Sequence, residues 1–147
     1  MQRRDFLKGA CRICLLGAAG ATVMDMASCS PAVGNSIFRP DIVDNAVTIP
    51  LALFDQKNFG VISPNKYPYE VAIEKKEDGN FIALLLQCTH YDNQLTPTGN
   101  GFTCAAHGSK FTLDGTVVKG PAEAPLKQLK TTKTNTDLIV NLLRVKK

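Results

Sequence analysis

Both histidines of this 147-residue chain, and two of its five cysteines, fall between Cys88 and Ser109. They form a Cys88-x-His90 and a Cys104-x-x-His107 motif on either side of a 13-residue segment. Two soft thiolates and two imidazoles are the ligand set of a tetrahedral zinc. They are equally the set of a [2Fe-2S] cluster in which two histidines replace two cysteines on one iron. Spacing bears on the choice. Cys88 and His90 are one residue apart, so in an extended loop they project in different directions and suit neighbouring ions better than a single one. Cys104-x-x-His107 has the reach of a tight turn. Zinc sites more often begin from a Cys-x2-Cys knuckle, and the Cys11-x-x-Cys14 pair that has this spacing lies in the first thirty residues. Iron-sulfur is therefore favoured, with a zinc-bound structural module as the alternative.

The rest of the chain bounds where such a centre works. A length of 147 residues allows at most one ordinary domain. A hydrophobic share of 44% and a charged share of 20% belong to a globular protein. The formal charge is +4, but 13 of the 17 basic and 11 of the 13 acidic residues lie from Ser30 onward, a balance of only +2. That is too little for a surface that tracks phosphates, so nucleic acid is not an expected partner. With Cys88 and Cys104 given to metal, the remaining cysteines are Cys11, Cys14 and Cys29, and none is left for a disulfide in the folded part.

Residues 1–29 have the layout of an export signal. MQRRDFLKGACR is a basic opening, followed by the 12-residue apolar run ICLLGAAGATVM. A helix needs about 20 residues to cross a bilayer, so this run fits a signal peptide better than a permanent span. Arg3-Arg4 followed by Asp5-Phe6-Leu7-Lys8 resembles the twin-arginine signal, which exports proteins already folded; a plain secretory leader is the alternative. Met26-Ala27-Ser28-Cys29 looks like a bacterial lipoprotein cleavage box, with Cys29 as the lipidated residue and ordinary signal cleavage as the alternative. The expected localisation is the periplasmic side of a bacterial membrane, held there by an N-terminal lipid anchor.

Residues 30–45 are rich in turn formers and predict a linker with an early strand near Ile42 and Val43. The domain is expected over residues 46–147. Val47, Ile49, Leu51 and Leu53 alternate and predict a half-buried strand from Ala46 to Phe54, with Pro50 at an edge or bulge. Phe59 to Tyr67 reads as a loop. Tyr69–Glu74 and Phe81–Leu86 predict an antiparallel pair joined at Asp78-Gly79-Asn80, and the second strand runs straight into Cys88. Lys110–Leu113 and Thr116–Val118 flank Asp114-Gly115, a second tight hairpin. A Pro-rich loop from Gly120 to Leu126 follows, then strands over Leu126–Lys130 and Leu138–Val145. Short strands separated by turns, with no helical period after residue 30, predict an all-β sandwich or barrel.

The order and register of Cys88-Thr89-His90, Cys104-Ala105-Ala106-His107-Gly108-Ser109-Lys110-Phe111, Asp114-Gly115-Thr116-Val117 and Gly120-Pro121-Ala122 through Pro125-Leu126 are similar to the Rieske [2Fe-2S] iron-sulfur family. The resemblance covers Val71 to Leu129. It implies a small antiparallel β base capped by a loop subdomain made of two cluster loops and a proline loop. It further implies that Cys88 and Cys104 hold the inner iron and His90 and His107 the outer one, exposed at the tip. Cytochrome bc-type members carry two further cysteines that brace the loops with a disulfide; their places hold Asn93 and Ala106. Ser109 matches a serine that donates to cluster sulfur in high-potential members, and Phe111 stands where those members have a donating tyrosine. One donor kept and one lost implies a potential inside the roughly −150 to +300 mV Rieske range rather than at its ends. Leu95, Phe102 and Pro121 are apolar groups placed to shield the inner iron or, as readily, to serve as core.

A cluster with no open coordination site moves one electron at a time and binds no substrate, so by itself the chain is expected to be an electron-transfer protein rather than an enzyme. The expected partner is a quinol-oxidising or cytochrome-linked redox complex. The alternative is a ferredoxin that feeds an oxygenase, which the missing disulfide favours and the export signal opposes. With no third histidine for a mononuclear iron, the chain is not the oxygenase itself.

Overall fold

The structure, a computed structural model, describes residues 37–145. The expected export signal, residues 1–29 with Cys29, lies outside the described residues. Among the described residues eleven strands carry the fold: β1 (Ala46–Pro50), β2 (Phe59–Ile62), β3 (Val71–Lys75), β4 (Phe81–Leu85), β5 (Thr96–Thr98), β6 (Gly101–Thr103), β7 (Lys110–Thr112), β8 (Val117–Lys119), β9 (Gln128–Leu129), β10 (Thr131–Lys133) and β11 (Asp137–Asn141). They form three antiparallel sheets, ordered β1-β11-β10, β2-β3-β4-β9 and β5-β6-β7-β8. The all-β expectation holds, with a β base and a separate loop-bearing sheet.

Why the middle sheet reads as it does follows from its two faces. Val71, Ile73, Phe81, Ala83, Leu85 and Leu129 point into one core with Val47, Ile49, Leu138 and Val140 of the β1-β11-β10 sheet. From the opposite face Ala72, Leu84 and Leu86 pack with Leu95, Phe102, Phe111, Cys88 and Cys104. A strand buried on both sides loses its polar alternation, and Phe81–Leu86 is accordingly a continuous apolar run. Full burial of each large apolar side chain contributes about 1.5–3 kcal/mol.

Several local expectations need correction. β1 stops at Pro50, and Leu51–Phe54 coil into a 3-10 turn. The Leu51 N–H still bonds Thr136 O at 2.9 Å in the register of β1 and β11, and beyond it the turn closes with Asp55 N–H on Ala52 O at 3.3 Å; Phe54 is buried there and Leu53 exposed. Phe59–Ile62, expected as loop, is the strand β2, registered from Phe59↔Glu74 to Ile62↔Val71. Gly60 masks it in sequence, and in the structure the Phe54 ring packs beside it. Instead of a strand at Ile42-Val43 there is a single bridge, Val43↔Ala46. Ahead of it Phe38 bridges Ile62, and Ser63 N–H bonds Phe38 O at 3.0 Å. The expected C-terminal pair is three short strands, because β10 forms inside the TTKTNTD connection and pairs with β11.

Both predicted hairpins form. In the first, Lys76 N–H bonds Asn80 O at 2.8 Å and Gly79 adopts φ 77°. In the second, the Thr112 hydroxyl donates to the Asp114 carboxylate, and this bond, with the Thr116 N–H behind it, holds the Asp114 carboxyl below its ordinary range. The turn's contribution is thus present above the unfolded carboxylate pKa and is lost as pH falls through the depressed folded value.

Candidate metal centre

β4 delivers the chain through Leu86 and Gln87 to Cys88, and β6 delivers it to Cys104. After each cysteine the backbone closes in the same way. Cys88 N–H bonds Asn93 O at 2.8 Å, and Asp92 N–H bonds Cys88 O at 2.9 Å. Cys104 N–H bonds Ser109 O at 2.9 Å, and Gly108 N–H bonds Cys104 O at 3.0 Å. The fourth residue after each cysteine is left-handed, Asp92 at φ 50° and Gly108 at φ 78°. Two separate stretches of sequence therefore build one kind of turn twice, side by side.

The four sequence-predicted metal residues divide by burial. Cys88 and Cys104 are each 1% exposed, both are free thiols, and both lie in the apolar core of the loop subdomain. His90 and His107 are exposed, with ring centroids 5.1 Å apart and ring planes at 90°. An imidazole bound through nitrogen puts its centroid about 3.2 Å from the metal, so two on one tetrahedral metal stand about 5 Å apart. The histidine pair meets that spacing. Among the described residues no three His, Cys, Asp or Glu side chains converge as ligands of a single ion. A diiron cluster asks for only two protein groups on each metal.

Ser109 supplies a further test of fit. It is fully buried, and its Oγ accepts the Ala122 N–H at 3.0 Å. Its own proton finds no acceptor among the described residues, which leaves a buried donor available to a sulfide. Phe111 is 2% exposed and stands opposite Phe102 across β6 and β7, with no hydroxyl to offer. Leu95 and Phe102 are each 1% exposed in the core that holds both cysteines. Pro121 faces outward instead, and Ala122 is the buried member of the proline loop.

The matching of families falls on this region. The family model for the Rieske [2Fe-2S] domain matches residues 50–130, more than half of the chain. The chain belongs to the Rieske [2Fe-2S] family. Its cofactor is a [2Fe-2S] cluster and its chemistry is electron transfer, so the zinc alternative is set aside. Among curated relatives, the cytochrome b6-f complex iron-sulfur subunit 1 of Synechocystis is 29% identical over 134 residues, covering 86% of this chain and 75% of the relative. The cytochrome b6-f complex iron-sulfur subunit 3 of Nostoc is 43% identical over 56 residues, 35% of this chain and 32% of that one. The crystal structure of the cyanobacterial plasma membrane Rieske protein PetC3 from Synechocystis superposes with a TM-score of 0.52 at 26% identity. That likeness covers 64% of this chain and 97% of PetC3.

Sequence reasoning missed one functional contact of this Rieske domain. The Thr89 hydroxyl donates to Ala124 O at 2.6 Å, and Ala122 N–H donates to Ser109. The proline loop is thereby tied to both cysteine loops. Thr89 was visible inside the Cys-Thr-His run, but its partner lies 35 residues further on. It also missed the hairpin of β5 and β6 within the metal stretch, whose strands are only three residues long.

Proposed function

We propose that Cys88 and Cys104 hold one iron and His90 and His107 the other, and that the protein is the one-electron Rieske component of a membrane-side quinol-oxidising complex. The observation that carries the proposal is the division of the four groups, with two thiols buried in an apolar core and two imidazoles exposed at 5.1 Å. When bound, the cluster supplies a one-electron couple without an open coordination position. The residues do the rest. Core side chains keep water from Cys88 and Cys104, and the two turns hold their sulfurs and present His90 and His107 outward. Whichever ring nitrogen of each imidazole is not a ligand remains available to hydrogen-bond a partner and to pass a proton. Coupled electron and proton release is what quinol oxidation requires.

The wider setting rests on the relatives' names, two of which are subunits of a cytochrome b6-f complex and one a plasma membrane Rieske protein. On that reading residues 1–29 export the chain, residues 30–45 link it to Cys29, and lipid on Cys29 tethers the domain to a membrane. Among the described residues no helix is long and apolar enough to cross a membrane. The ferredoxin reading keeps one supporting observation, that Asn93 and Ala106 leave the loops without a disulfide.

The test is the visible and EPR spectrum of the purified protein. A colourless, EPR-silent sample after reconstitution with iron and sulfide would end the ligand assignment, and recovery from the cytosol with residues 1–28 attached would end the exported one. His107→Cys is expected to keep a cluster, lower its potential and remove one proton-coupled step; an unchanged pH dependence of the potential contradicts the assignment. Ser109→Ala is expected to drop the potential by tens of millivolts, since about 60 mV accompanies each tenfold change in a one-electron equilibrium. It also strands the buried Ala122 N–H, at a cost of about 1–3 kcal/mol. Film voltammetry and a thermal melt read the two effects separately.

A further inference from the structure

The two cysteine turns are alike in backbone but not in how their left-handed residue is held. The second turn uses Gly108, which adopts φ 78° without steric cost. At the same place the first turn uses Asp92, at φ 50°, where a side chain is disfavoured. Asp92 is engaged at its N–H, its carbonyl and one carboxylate oxygen. Its N–H donates to Cys88 O at 2.9 Å. Its carbonyl accepts the Tyr69 hydroxyl at 2.7 Å, and its Oδ1 accepts the Gln87 side-chain amide at 2.9 Å. Gln87 is 6% exposed, one of two buried polar residues among those described. Its Oε1 in turn accepts Lys127 Nζ at 3.4 Å. Tyr69 packs on the other core, that of the β base.

We infer that Asp92 is the positioning residue of the His90 loop, clamped by the Tyr69 hydroxyl and the Gln87 amide in the absence of a covalent brace. The inference rests on the ligand assignment proposed above. Asn93 and Ala106 cannot cross-link the two loops. Thr89 ties the first loop to the proline loop alone, whereas the clamp ties it to the base. Loops open locally at a free energy well below that of global unfolding, and each lost hydrogen bond raises the open population. Asp92 has a second effect. Among the described residues the ion pair is Lys76–Glu74, so the Asp92 carboxylate is not neutralised by a salt bridge. Its charge, two residues from His90, opposes an added electron nearby.

The experiment uses the full-length holoprotein and three variants of it. Cluster loss to excess chelator is followed by bleaching, at a temperature where circular dichroism shows the fold intact. Tyr69→Phe removes one oxygen and is expected to bleach about fivefold faster than the parent. Asp92→Ala keeps the Tyr69 bond to the backbone carbonyl but loses the acceptor of the buried Gln87 amide and leaves a plain Cβ in the left-handed region, and is expected to bleach faster still. Asp92→Asn tolerates the same φ and keeps a side-chain acceptor for Gln87. It is expected to bleach at the parent rate and to show an upward shift in midpoint potential. Tyr69→Phe bleaching at the parent rate overturns the clamp, and so does Asp92→Asn bleaching as fast as Asp92→Ala. An Asp92→Asn potential equal to the parent's overturns the charge effect. A parent protein with no Rieske signal at all would instead overturn the ligand assignment, so the two failures are distinguishable.

Discussion

Cys104→Ser is expected to give a folded protein with no visible absorption band and no EPR signal after reduction. Cys104 directly follows β6 with 1% of its surface exposed, inside an apolar core. A thiolate is stabilised there only by metal, and serine offers a hard, protonated oxygen in its place. An unpaired buried hydroxyl costs about 1–3 kcal/mol, which the base core of thirteen buried residues is expected to survive. Iron content per chain, measured with a far-UV spectrum, checks both halves of the expectation. One full cluster per chain with an unaltered EPR spectrum would remove Cys104 from the ligand set.

Gly101→Ala is expected to produce the largest loss of stability from a single added methyl group. Gly101 opens β6 directly opposite Thr112, and a Cβ there would stand 2.0 Å from the Phe111 carbonyl oxygen. The obstacle is backbone inside a hydrogen-bonded ladder, so no rotamer change relieves it. Overpacking of this kind costs about 3 kcal/mol, and the midpoint of thermal unfolding should fall by on the order of 15 °C. Because β6 carries Cys104 at its end, bleaching of the cluster and loss of ellipticity should shift together. A melt within a few degrees of the parent would mean that β6 and β7 separate more easily than their register implies. Gly99, three residues after Thr96 and two before Gly101, has nothing near its Cβ position, and Gly99→Ala is the matched control.

What the sequence showed and hid has physical reasons. The candidate metal residues stand out in the sequence because soft ligands are rare and their spacing is chemical, not conformational. The hairpins at Asp78-Gly79 and Asp114-Gly115 were legible because left-handed turns demand particular residues. β2 was hidden because Gly60 and the following Pro64-Asn65 imitate a loop, while its pairing partner β3 lies further along the chain. The early end of β1 was hidden because Leu51 and Leu53 continue the alternation past Pro50, although the chain there coils into a 3-10 turn. Residues such as Thr89, Tyr69 and Gln87 carry no signal of their own, since each matters through a partner far along the chain. The outward placement of Pro121, with Ala122 inside, depends on that same long-range docking.

β4 divides its side chains between the two cores, Ala83 and Leu85 to one and Leu84 to the other, which Leu86 joins just past its end. The redox end and its base therefore have a common wall, not a seam. In hydrogen-exchange terms, the amides of β3 and β4 should be the slowest in the molecule, and one protection value should serve both halves. Such a body has no internal hinge at the level of its sheets. Reorientation of the histidine tip toward successive redox partners would then be a movement of the whole domain as a single rigid particle.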